Sequence, residues 1–125
     1  MVDQTRYAEV ADLTAEQIDA LPYGAIRIDG EGTILGYNQY EARLSKLDAS
    51  RVVGKNFFRD VAPCTAVHAF EGRMRAFVAS EDATSESFDY MFPFPHGAVE
   101  VSITFIKLAD PNAIVIAVER LQPED

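Results

Sequence analysis

From residue 24 onward the chain alternates apolar and polar positions in short runs, and most of the predicted architecture follows from that alternation. In "GAIRIDGEGTILGYN" Ile26 and Ile28 alternate with polar neighbours, and Asp29, Gly30 and Gly32 are suited to a tight turn, so a β-hairpin is predicted. The last third repeats the two-residue period. Phe88, Tyr90, Phe92 and Phe94 fall on one side of "SFDYMFPF", and Val99, Val101, Ile103 and Phe105 on one side of "VEVSITFIKL". "AIVIAVERL" supplies a third strand, with "PHG" and "DPN" as intervening turns. Residues 38–80 show no long alternation. Short helices are predicted around residues 39–44 and 48–53, then the loop "GKNFFRDVAPC". An amphipathic helix follows, with Val67, Phe70, Met74, Phe77 and Val78 on one face. Two strands, a helical middle and three strands make an α+β order. Its simplest form is one antiparallel sheet with helices over a face, and a ligand would lie between the sheet and the helical middle.

The front of the chain differs. Residues 3–12 are predicted as a short helix through Tyr7 and Val10, and Thr14 with Gln17 reads as a capping box opening a second helix that runs to about Ala20. Little apolar surface is available there, so residues 1–20 are expected to form a lightly anchored cap that opens at low cost on a core of residues 21–125.

Composition narrows the function classes. A chain of 125 residues, 48% apolar and 25% charged, suits one globular domain. A net charge of −9 repels nucleic-acid backbones and anionic membranes. One cysteine forms no intramolecular disulfide, and two histidines provide no zinc ligand set. No secretory leader pattern and no apolar run near the ~20 residues of a membrane span occurs, so a cytoplasmic protein is expected; a monomer is expected as well.

Three features carry candidate chemistry. Pro63 lacks an N–H and biases Ala62 away from helix, presenting Cys64 at a loop-to-helix junction that favours thiolate. Position alone leaves a buried structural thiol, a ligand-bearing thiol and a nucleophile all open. Tyr37, Glu41 and Ser45 are spaced four apart, so on a helix a phenol, a carboxyl and a hydroxyl converge; a solvated surface glutamate is the plainer alternative. His68, four residues after Cys64, suits a base for a thiol enzyme or redox sensor, but no third orienting group, phosphate loop, carboxylate pair or metal cluster accompanies it.

The string "GKNFFRDVAPCT" at 54–65, taken with "YGAIRIDGEGTILGYN" at 23–38, resembles the photoactive yellow protein family, in register from about residue 21 to 80 and onward through the strands to 118. The resemblance implies a PAS fold: a five- to six-stranded antiparallel sheet flanked by short helices and one longer helix, with an N-terminal helical cap. It implies a blue-light receptor carrying p-coumaric acid as a thioester on Cys64. Tyr37 and Glu41 match the family's partners of the chromophore phenolate, and Ser45 stands where threonine is usual. Ile26, Phe57, Val61, Ala62 and Phe92 match apolar pocket positions. Leu47 replaces an arginine that covers the phenol end, Phe94 stands where tyrosine is common, and the loop at 95–97 departs as well.

The implied chemistry is physically coherent. A buried phenolate needs O–H donors, and Glu41 can donate only if burial beside a like charge keeps it protonated. The implied cycle is trans-to-cis isomerisation, proton transfer from Glu41 to the phenolate, and partial unfolding of the cap as a signal to a downstream protein. Two alternatives stand beside it: an apo PAS module that binds a ligand or partner, and a Cys64/His68 thiol enzyme or redox sensor.

Overall fold

The computed structural model describes residues 10, 13–94, 97–108 and 113–120, apart from the side chains of residues 64, 93, 94 and 120. Apart from Val10, the helix predicted at 3–12 lies outside the described residues, as does most of the "PHG" loop.

The elements follow the predicted order. They are α1 (Ala15–Asp19), β1 (Gly24–Asp29), β2 (Ile34–Tyr37), α2 (Gln39–Ser45), α3 (Ala49–Val52), α4 (Arg73–Ala79), β3 (Ser85–Phe94), β4 (Gly97–Lys107) and β5 (Ala113–Arg120). All pairings are antiparallel, in the order β2-β1-β5-β4-β3. The turn between β1 and β2 is built as the sequence suggests: the Asp29 carboxylate accepts from the Glu31 and Thr33 N–H groups at 2.9 Å, and Gly32 takes φ +94°, which favours glycine.

The sheet separates two apolar clusters by its two-residue period. Ile26, Ile116 and Phe105 lie side by side in register and face the helical middle, with Ile103, Phe57, Phe58, Phe70 and Phe77 in the same cluster. Phe70 is fully buried and has six aromatic neighbours, with ring centroids 5.0–6.3 Å away, among them Phe57, Tyr90 and Phe105. On the opposite face Ala25, Ala117, Val115 and Ile106 pack with Tyr23, Ile18 and Val10.

Three details depart from the sequence expectation. The single amphipathic helix is two pieces, a π-type turn at His68–Gly72 running into α4. Phe70, Met74 and Phe77 are buried as predicted, but Val67 and Val78 are exposed: Val67 is the extended residue before the π-type turn and so lies off the helical face, whereas Val78 follows the turn, within α4. The loop "GKNFFRDVAPC" likewise contains a π-type turn at Phe57–Val61 and a 3-10 turn at Pro63–Thr65. The front is also better anchored than its composition suggests: Val10 and Ile18 are buried in the second cluster, and the predicted capping box of Thr14 and Gln17 is present.

Candidate functional site

α2 brings the polar triad together. Asn38 caps it with extended backbone, its side-chain oxygen accepting from the Glu41 N–H at 3.0 Å, and the next turns place Glu41 and Ser45 on the face that Tyr37 meets from the end of β2. Tyr37 Oη lies 2.7 Å from Ser45 Oγ, and Ser45 Oγ lies 2.8 Å from the Glu41 carbonyl oxygen, to which it donates. Glu41 is 3% exposed and Tyr37 5% exposed, so the solvated-glutamate alternative is excluded.

Burial, first, and then the negative charge of Glu41 push the Tyr37 phenol well above its ordinary range; a hydrogen bond with the Glu41 carboxyl acts the same way, and the Ser45 hydroxyl acts against it. Tyr37 therefore remains a proton-bearing O–H donor throughout the physiological range.

The apolar residues named from the sequence collect beside the triad. Ile26, Phe57 and Phe92 are buried in the same cluster as Tyr37, and Val61 and Ala62 pack against it half-buried. Phe57 is held by its N–H donating to the Gly32 carbonyl at 2.8 Å, and the turn that follows it is capped by Asn56, which accepts from the Phe58 and Arg59 N–H groups. Leu47 stands apart: it is 38% exposed, in the loop after α2.

The backbone at Cys64 forms the middle of the 3-10 turn, while its thiol lies outside the described residues. Ala62, at φ −132° and ψ 67°, is kept out of helix as the following proline requires. The buried Thr65 closes the turn, its N–H and hydroxyl both donating to the Ala62 carbonyl, at 2.9 and 2.6 Å. The junction is thus a three-residue turn rather than the start of a long helix, and Val67 is extended before the next turn, so the dipole expected to favour thiolate is small. His68 is exposed.

Asn38 was not singled out in the sequence. It is buried, accepts from the Ala25 N–H at 2.9 Å, and donates to the Ile18 and Tyr23 carbonyls at 3.2 and 2.8 Å, so one amide ties α1, β1 and the start of α2 together. The available signal was an Asn three residues before Glu41 at a predicted helix start, a cap pattern. Among the described residues no group of three or more His, Cys, Asp or Glu side chains is placed to hold a metal, and no helix is long and apolar enough to cross a membrane.

Comparison with known proteins identifies the fold and the family. A family model described as PAS fold matches residues 18–119. The chain is 38% identical over 112 residues to photoactive yellow protein of Rhodothalassium salexigens, covering 90% of this chain and 89% of the relative. It is 34% identical over 112 residues to that of Halochromatium salexigens, with the same coverage. Among solved structures, the photoactive yellow protein domain of the sensor histidine kinase Ppr from Rhodospirillum centenum superposes with a TM-score of 0.81 at 38% identity, covering 90% of this chain and 98% of that one. A quorum-sensing receptor PAS domain from Cronobacter turicensis, at 14% identity and a TM-score of 0.66, shares the fold alone. By sequence and by fold, the chain belongs to the photoactive yellow protein family, whose members are PAS-fold sensory photoreceptors and not enzymes.

Proposed function

We propose that the protein is a cytoplasmic blue-light receptor that carries p-coumaric acid as a thioester on Cys64, with Tyr37 and Glu41 as partners of the chromophore's phenolate. The observation that supports this most is the buried pair of Tyr37 and Glu41, with Ser45 beside it, where Tyr37 shares a hydrophobic cluster with Ile26, Phe57 and Phe92. A buried phenol and, in its protonated form, the Glu41 carboxyl would supply two O–H donors to an anionic aromatic oxygen, which would otherwise cost several kcal/mol to bury.

When bound, the chromophore supplies visible absorption and a light-driven trans-to-cis isomerisation. Cys64 provides the thiolate that displaces the leaving group of an activated p-coumaroyl donor, and the apolar wall of Phe57, Val61 and Ala62 excludes water. Tyr37 donates a hydrogen bond and keeps its proton, because burial holds its own ionisation out of range. Glu41 is the group that gives up its proton after illumination. A carboxylate is then left in an apolar site, an imbalance of several kcal/mol against a total stability of roughly 5–15 kcal/mol. Asn38, bonded both to the Glu41 N–H and to α1, links that strain to the N-terminal cap, whose partial opening is the state a downstream signalling protein reads. The relative from Rhodospirillum centenum is part of a sensor histidine kinase, which makes a histidine-kinase pathway the class of partner to test.

Purified protein mixed with an activated p-coumaroyl donor is expected to turn yellow and gain the mass of one p-coumaroyl group. Cys64→Ala is expected to do neither. Absence of colour, or equal colour in Cys64→Ala, would leave the apo ligand-binding module as the better reading. Glu41→Gln is expected to keep the colour with a shifted maximum; an unchanged spectrum would remove Glu41 from the pocket.

A further inference from the structure

Gly24 opens β1 in register with Val118 of β5 and is buried. Backbone geometry does not call for glycine there, since the positive-φ glycines among the described residues are Gly32, Gly54 and Gly97. The reason lies in what it faces. A Cβ on Gly24 would collide with Glu41 Oε1, while the next nearest atoms, the Val118 Cβ and carbonyl oxygen, would be 3.2 Å away. These neighbours respond differently. The strand is paired on both sides, to β2 and β5, and the Ala25 N–H is bonded to Asn38 at the start of α2, so neither the strand nor the helix has room to retreat. The carboxyl at the end of a rotatable side chain is the part that can move.

We infer that Gly24 is a positioning residue for Glu41: the space its missing side chain leaves is the seat of one carboxyl oxygen, and any side chain at 24 displaces the carboxyl from its place beside Tyr37. This deepens the reading of Glu41 as the proton donor and rests on it.

The test uses the chain without chromophore. The side-chain carboxyl of Glu41 is followed by ¹³C NMR against pH in the natural protein and in Gly24→Ala, with Glu41→Gln to assign the signal. The expected result is a midpoint moved by about one pH unit or more in Gly24→Ala, because the carboxyl changes its surroundings. An unmoved midpoint overturns the inference. If Gly24→Ala does not fold, the pair Gly24→Ala/Glu41→Ala decides: recovered folding identifies the carboxyl as the obstacle and upholds the inference, whereas continued failure identifies Val118 and overturns it. Colour and mass of the Cys64 adduct, measured separately on the natural protein, decide the pigment reading, so the two can fail independently.

Discussion

Tyr37 shows how a single residue is set by its surroundings. Its phenol is buried against an acid and a hydroxyl, and its ionisation is pushed up chiefly by burial and then by Glu41. Above about pH 10 the unfolded chain releases this proton while the folded chain keeps it, so stability falls as pH rises through that value; below it, the contribution is constant. Denaturant titrations from pH 8 to 11.5 should therefore show a steeper alkaline loss in the natural protein than in Tyr37→Phe. At pH 7 the same variant should cost about 1 kcal/mol for the lost hydrogen bonding. Phe70, enclosed by six aromatic rings, should cost about 3–5 kcal/mol when changed to alanine, read as a lowered urea midpoint. The spacing of four made Tyr37, Glu41 and Ser45 candidates in the sequence, although only Glu41 and Ser45 lie on α2 and Tyr37 meets them from the end of β2. Val67 was misassigned because helical spacing was read across a π-type turn, where it no longer holds.

At the scale of elements, α2 is short, seven residues, and its start depends on the Asn38 cap. Asn38→Ala would remove that cap and leave the Ala25 N–H and the Ile18 and Tyr23 carbonyls without this partner. A loss of about 2–3 kcal/mol in denaturant unfolding is expected, with Asn38→Asp intermediate because it keeps the accepting oxygen. The strands were legible from their alternation, and the paired register of Ile26, Ile116 and Phe105 realises it. The turns between 56 and 72 were not, since a π-type turn carries no distinctive apolar period. The Asn56 cap and the bond from the Phe57 N–H to Gly32 fix their path through contacts distant in sequence.

At the scale of the molecule, one sheet serves two clusters: Tyr37 lies with the helical face, and Val10 and Ile18 pack in the cluster on the other. α1 exposes most of its surface but sinks Ile18 into the second cluster, and Gln39 at the start of α2 donates to the Asp19 carboxylate at 2.8 Å. Ile18→Ala should cost about 2–4 kcal/mol. It should also raise amide hydrogen exchange in α1 well before exchange rises in β5, since the cap can open while the sheet remains paired. Equal acceleration in both would mean that cap and core open as one unit.

The local code was enough to determine the strands, the hairpin turn and the capping box, because each depends on residues within a few places of one another. Tertiary structure alone decided that Glu41 and Tyr37 are buried together, that Asn38 joins three elements, and that Gly24 lies against the Glu41 carboxyl. The first is a matter of burial, which spacing along the chain does not set; the other two are meetings between segments with no periodic relation along the chain, and only packing of the sheet against its helices brings them within reach.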